Sequence, residues 1–245
     1  MERTKYRLIV IALIFFAFNL KGSNKSEIYN FYIDSRMKDW RSVIDQLNNK
    51  PDKNNDLLIE LVNYQYGYIG WCMGNNRNDD ALLYLKLAEN NIKILENSHF
   101  QPSMINAYKA ALYGYRIGLN NFTAPFIGPK SFDCAKHAVQ LDPNNAFAYI
   151  QLGNVKFHAP VLMGGSKTEA IIFFLTAKTL MEKNAAQIHG DWNYLSLLVT
   201  IAKAYISLED FAKAKLMYEE ILKFEPGFTW VRDELYPHFL EKIKK

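Results

Sequence analysis

The sequence predicts an all-α fold, a right-handed solenoid of antiparallel helix pairs, with about four pairs and a helical cap at each end. Three observations carry this. Apolar residues recur at helical rather than alternating spacing along most of the chain. Between these runs stand short polar stretches rich in Asn, Asp, Gly and Pro, the chemistry that stops helices. One stretch, residues 141–177, places Tyr149, Leu152 and Gly153 on a first helix and Ala170, Phe174 and Ala177 on a second. Small residues there let two helices approach closely, and large ones fill the space between pairs. Such a pair cannot bury its apolar face alone, so it predicts stacked neighbours.

The 245 residues are 49% hydrophobic and 14% aromatic, enough for an extended core. The net charge of +4 is concentrated at the start, where Arg3, Lys5, Arg7 and Lys21 outnumber Glu2. The remainder is close to neutral and has no basic stripe, which argues against nucleic acid as a partner. The basic residues precede an apolar run, Leu8 to Phe18, and a polar break follows it. That run is short for a bilayer span and fits a secretory signal over residues 1–22, so export to the periplasm is expected. A retained leader would instead tether the chain to the membrane. No stable span is expected otherwise.

The elements follow in order. Tyr29, Tyr32, Ile33, Met37, Trp40, Val43, Ile44 and Leu47 predict one amphipathic capping helix over 27–50. The repeats are expected over 57–228. Leu57 to Met73 is dense in aromatics, with Gly67 and Gly70 placed for close backbone approach, and a partner helix follows, capped by Asp79 or Asp80. Met104 to Leu119 and Ser131 to Leu141 form the next pair. Trp192 to Leu208 and Glu209 to Phe224 form the last, closed by Pro226. A final helix, broken at Pro237, caps the array over 229–245. Two connections share an Ala-Pro-apolar-Gly elbow, Ala124 to Gly128 and Ala159 to Gly164, and are expected on one edge of the solenoid.

The aromatic, Leu-Gly, Ala, Phe and Ala offsets of 141–177 resemble the tetratricopeptide (TPR) repeat of about 34 residues. Two further segments extend the resemblance. They are the elbow from Ala159 through Gly164, Gly165 and Ser166 to Ala170, and the stretch from Asp191-Trp192 to the Glu225-Pro226-Gly227-Phe228-Thr229-Trp230 run ending at Pro237. Together they are similar to exported bacterial TPR proteins of the TatT component family, found beside TRAP-type solute transporters. The elbow is also similar to repeats in eukaryotic regulators of microtubule dynamics. The resemblance implies an all-α solenoid that binds a protein or small ligand outside the cytoplasm, and it brings no catalytic residues. The transporter-associated members are lipoproteins, whereas no cysteine lies near this leader's break.

The residues themselves point to binding rather than catalysis. The Gly164-Gly165-Ser166-Lys167-Thr168 run lacks the spacing of a phosphate loop and reads instead as a turn with a Ser166–Glu169 capping box. His99, His137, His158, His189 and His238 show no metal-ligand spacing, so neither a metal nor a cofactor is expected. His158 reads as a structural neighbour of the elbow. Cys72 and Cys134 either pair or remain as buried thiols. Asn121-Phe122-Thr123 matches a glycosylation sequon that has meaning only in a eukaryotic secretory pathway.

First helices line the concave face of such a solenoid. Helical phasing sends Tyr64, Trp71, Asn106, Lys109, Tyr113, Arg116, Phe147, Ile150, Asn154, Phe157, Val199 and Lys203 inward. Cations and amides among aromatic faces suit a carboxylate or an extended peptide. The alternative is that the aromatics are core and the charges a solvated rim. The function expected is a non-catalytic scaffold holding a protein, peptide or small acidic solute. The alternatives are a solute-handling component beside a TRAP transporter, or an enzyme whose site forms only in the fold.

Overall fold

The computed structural model describes residues 24–244. The predicted leader, residues 1–22, lies outside them. Within them the fold is all-α: twelve helices run α1 (Asn24–Ile33), α2 (Met37–Asn48), α3 (Asn55–Gly74), α4 (Asn78–Asn97), α5 (Pro102–Leu119), α6 (Ala124–Leu141), α7 (Ala146–His158), α8 (Lys167–Glu182), α9 (Ala185–Ile188), α10 (Trp192–Ser207), α11 (Phe211–Phe224) and α12 (Tyr236–Ile243). Four antiparallel pairs, α3/α4, α5/α6, α7/α8 and α10/α11, stack as a TPR-like solenoid.

Local chemistry sets the helix starts. The side chains of Asn54, Asn145, Ser166, Asp191 and Asp210 each accept a backbone N–H of the first turn, satisfying donors that no helix can pair internally. Within the third pair, a methyl group at Gly153 would stand 2.5 Å from the Phe174 ring. Ala170, Phe174 and Ala177 are all fully buried, so this glycine lets α7 and α8 close on one another.

Several boundaries differ from the sequence expectation. The single N-terminal helix is two, because the chain turns at Ser35 (φ 58°) and Arg36 restarts the backbone. Neither Asp79 nor Asp80 caps α4; both lie in its first turn, where Asp80 pairs with Arg77 at 2.6 Å. The first elbow is helical: α6 begins at Ala124 with Pro125 in its first turn, and Pro129 is accommodated inside it. The second elbow is a 3₁₀ turn, Val161–Met163, ending at Gly164. Matching residues thus take different conformations, since Pro125 can start a helix but Pro160 follows the end of one. The last segment is not broken at Pro237. A π-helical turn, Trp230–Leu235, runs directly into α12, with Pro237 at the second position of α12.

The largest departure concerns the N-terminal pair. It does not merely cap α3; it reaches the far end of the solenoid. Trp40 of α2 and Trp192 of α10 meet edge to face at 5.0 Å, with Tyr32 against both at 6.0 and 5.7 Å and Phe228 against Tyr32 at 5.0 Å. Both indoles are buried and satisfied: Trp40 donates to the Tyr64 carbonyl and Trp192 to Asn63 Oδ1, each at 3.0 Å. Asn63 also donates to the Tyr108 hydroxyl (2.9 Å) and to Asn193 Oδ1 (3.0 Å), so one side chain joins three pairs. Farther out, Tyr29 donates to Glu225 (2.6 Å), Thr229 donates to the Ile33 carbonyl (2.8 Å), and Ser35 lies 3.1 Å from Thr229. The solenoid is closed into a ring.

Gly67 makes room for this junction. A methyl group there would stand 2.7 Å from both the Trp192 and the Trp40 rings. Gly67→Ala is expected to destabilise by about 1–3 kcal/mol through overpacking. Gly114, also mid-helix but with open space around its Cα, should gain about 0.5–1 kcal/mol from the same change. Chemical denaturation of the two variants checks the contrast, and equal effects would refute the close approach at Gly67.

Candidate binding site

Closure turns the concave face into a cavity of about 910 Å³. Its walls are the first helices of all four pairs, α3, α5, α7 and α10, together with the N-terminal half of α6 and the second elbow. Small residues on α5 border the space: Ala110, Ala111 and Gly114 lie along one face, and Gly118 receives the Met73 methyl.

The walls combine aromatic faces with amides and hydroxyls. Tyr66 stacks on Tyr115 at 5.4 Å and meets Phe147 edge to face at 5.3 Å. Tyr115 donates to the Tyr66 carbonyl at 3.1 Å, Gln151 donates to the Tyr66 hydroxyl at 3.3 Å, and Asn154 donates to Gln151 Oε1 at 3.1 Å. Burial raises the pKa of both tyrosines, so both hydroxyls stay protonated at neutral pH. On the facing wall stand Asn193, Ser196, Thr200 and Lys203 of α10.

The charges are one-sided. Among the described residues, Lys156, His158 and Lys203 line the cavity and no carboxylate does. Lys156 is neutralised by Glu169 at 2.8 Å. Surrounding protein lowers the pKa of His158, favouring its neutral form. Lys203 has no ion-pair partner among the described residues. Its Nζ stands 4.8 Å from the Trp230 ring centroid, and desolvation lowers its pKa although the side chain still meets solvent in the cavity.

Of the residues assigned inward by sequence, Phe147, Ile150, Asn154, Phe157 and Lys203 line the cavity. The others lie elsewhere. Tyr64 is buried and donates to Glu60 at 2.7 Å, and Val199 is buried in the core. Trp71 stacks on Tyr68 at 5.6 Å beneath the Arg77 guanidinium. Asn106 folds back onto the Pro102 carbonyl. Lys109 and Arg116 pair at 2.6 Å with Glu96 and Glu89 of α4, and Tyr113 shares their helix face. The stripe 106, 109, 113 and 116 is thus displaced about one residue around α5 from the face that meets the cavity. The sequence assignment missed Tyr66, Tyr115, Gln151, Asn193, Ser196 and Thr200. The small-residue spacing Ala110-Gly114-Gly118 was the available signal for the open face.

Ser166 accepts the Glu169 N–H at 3.1 Å, but Glu169 turns to Lys156, so only half of the capping box forms. Cys72 and Cys134 are both free thiols, and burial pushes Cys72 up to about 11. Among the described residues no group of three or more His, Cys, Asp or Glu could hold a metal ion, and no helix is long and apolar enough to cross a membrane.

The fold has a counterpart among solved structures. The chain is similar to a thermophilic TPR protein of Thermus thermophilus, with a TM-score of 0.51 and 16% identity, covering 85% of this chain and 90% of that one. No protein-family model matches the chain, and no curated protein matches it.

Proposed function

We propose that this protein is a non-catalytic binding scaffold whose ring cavity holds a carboxylate-bearing ligand, either the C-terminal end of a protein partner or a small acidic solute. One observation carries the reading: Lys203 is a cation without an ion-pair partner among the described residues, on a wall of aromatics, amides and hydroxyls that contains no carboxylate. An anion entering there gains a charge-assisted hydrogen bond that no internal acid competes for. Tyr66, Phe147 and Phe157 supply apolar faces for the rest of the ligand, and a cavity of about 910 Å³ is within the size range of small-ligand pockets.

The ligand reading is tested by calorimetric titration of wild type and Lys203→Met with carboxylate-ended peptides and aromatic carboxylic acids. The variant is expected to lose about 1.5–3 kcal/mol of affinity, roughly tenfold or more, for whichever probe binds. Its melting temperature should be unchanged. Equal affinity in the two proteins would refute the role of Lys203.

We also infer that the protein works outside the cytoplasm, on the basic residues followed by the apolar run Leu8 to Phe18. Cell fractionation is expected to recover it from the periplasm or envelope. Recovery from the cytoplasm alone would overturn this. The TRAP-transporter association rests on the elbow and Trp192-region resemblance, and an adjacent transporter operon would support it.

A further inference from the structure

The two elbows present an apolar rim that no part of the described chain covers. Phe122 is 90% exposed, Phe126 76% and Val161 84%, and Leu162 is fully exposed. Phe122, Val161 and Leu162 stand on short 3₁₀ turns, and Phe126 lies in the first turn of α6. Both elbows border one opening: Asn121 and Ala124 from the first and Pro160 and Met163 from the second line the same cavity. Lys156 Nζ lies 5.4 Å from the Phe132 ring centroid, tying the last turn of α7 to α6.

Charge identifies the occupant. The segments 120–132 and 156–168 contain three lysines and no Asp or Glu. Lys156 is taken by Glu169, whereas Lys130 and Lys167 are exposed and have no ion-pair partner among the described residues. Lysine is depleted where proteins meet proteins. Phe and Leu beside lysine are instead the composition that enters the headgroup layer of an anionic membrane, with apolar tips buried and ammonium groups at the phosphates. We propose that the elbow rim docks this protein on an anionic lipid surface, with the cavity mouth turned toward the bilayer. This surface is independent of which ligand the cavity holds.

The leader run Leu8 to Phe18 can itself bind lipid, so the test must report on the rim locally. The full chain carrying Leu162→Cys and Cys134→Ser is labelled at residue 162 with an environment-sensitive fluorophore; Cys72 is fully buried and stays unlabelled. The probes are vesicles of phosphatidylcholine with or without phosphatidylglycerol. Emission is expected to shift to the blue on the phosphatidylglycerol vesicles. Adding Phe122→Ser and Phe126→Ser should raise the lipid needed for half the shift roughly tenfold or more. Unshifted emission, whether or not the chain sediments with the vesicles, would overturn the proposal. So would a shift produced by raising protein concentration without lipid, which would assign the rim to self-association.

Discussion

The structure depends on the space above Gly67. Two tryptophans from opposite ends of the chain, Trp40 and Trp192, fill it, and both would collide with any side chain at that position. Their rings contact one another and are nearly completely buried. Burial of each such ring contributes roughly 1.5–3 kcal/mol, and the edge-to-face contact about 0.5–1.5 more. Helix pairs in a solenoid ordinarily touch only their neighbours. Here the junction converts a linear stack into a ring, with Asn63 as the polar joint between the first, second and fourth pairs.

Closure determines what the concave face can do. An open groove would leave the α10 wall remote from the α3 wall. In the ring, Lys203 of α10 and the Tyr66–Tyr115 stack of α3 and α5 border the same space. Among the described residues no carboxylate borders that space. Glu89 and Glu96 of α4 neutralise Arg116 and Lys109 on the side of α5 that meets α4. Lys203, without an ion-pair partner among the described residues, stands on the cavity wall, where the proposed reading seats a carboxylate.

The helix pairs were legible in the sequence because they rest on local rules. The Gly153–Phe174 contact joins the two helices of one pair, and the Ser166 cap accepts an N–H only three residues on. The cavity was only half legible. A first helix carries three busy faces, toward its partner, toward the preceding pair and toward the concave side, and aromatic residues occupy all three. On α7 the assignment placed Phe147, Ile150, Asn154 and Phe157 on the concave wall; on α5 it was displaced, because Lys109 and Arg116 read as groove cations until Glu96 and Glu89 are seen across from them. The closure was not legible at all. Tyr29 and Glu225, or Ile33 and Thr229, are separated by 196 residues, and no periodicity reports such a pairing.

The most direct measurement of ring closure is a disulfide across it. Ser35 and Thr229 approach to 3.1 Å between side-chain oxygens and are 194 residues apart. Ser35→Cys with Thr229→Cys, in a Cys134→Ser background, should oxidise rapidly within the monomer under mild conditions. Linking so long a loop is expected to raise unfolding stability by about 3–5 kcal/mol relative to the reduced form. Thiols that stay reduced, or that bridge only between molecules, would contradict the closed ring and with it the cavity.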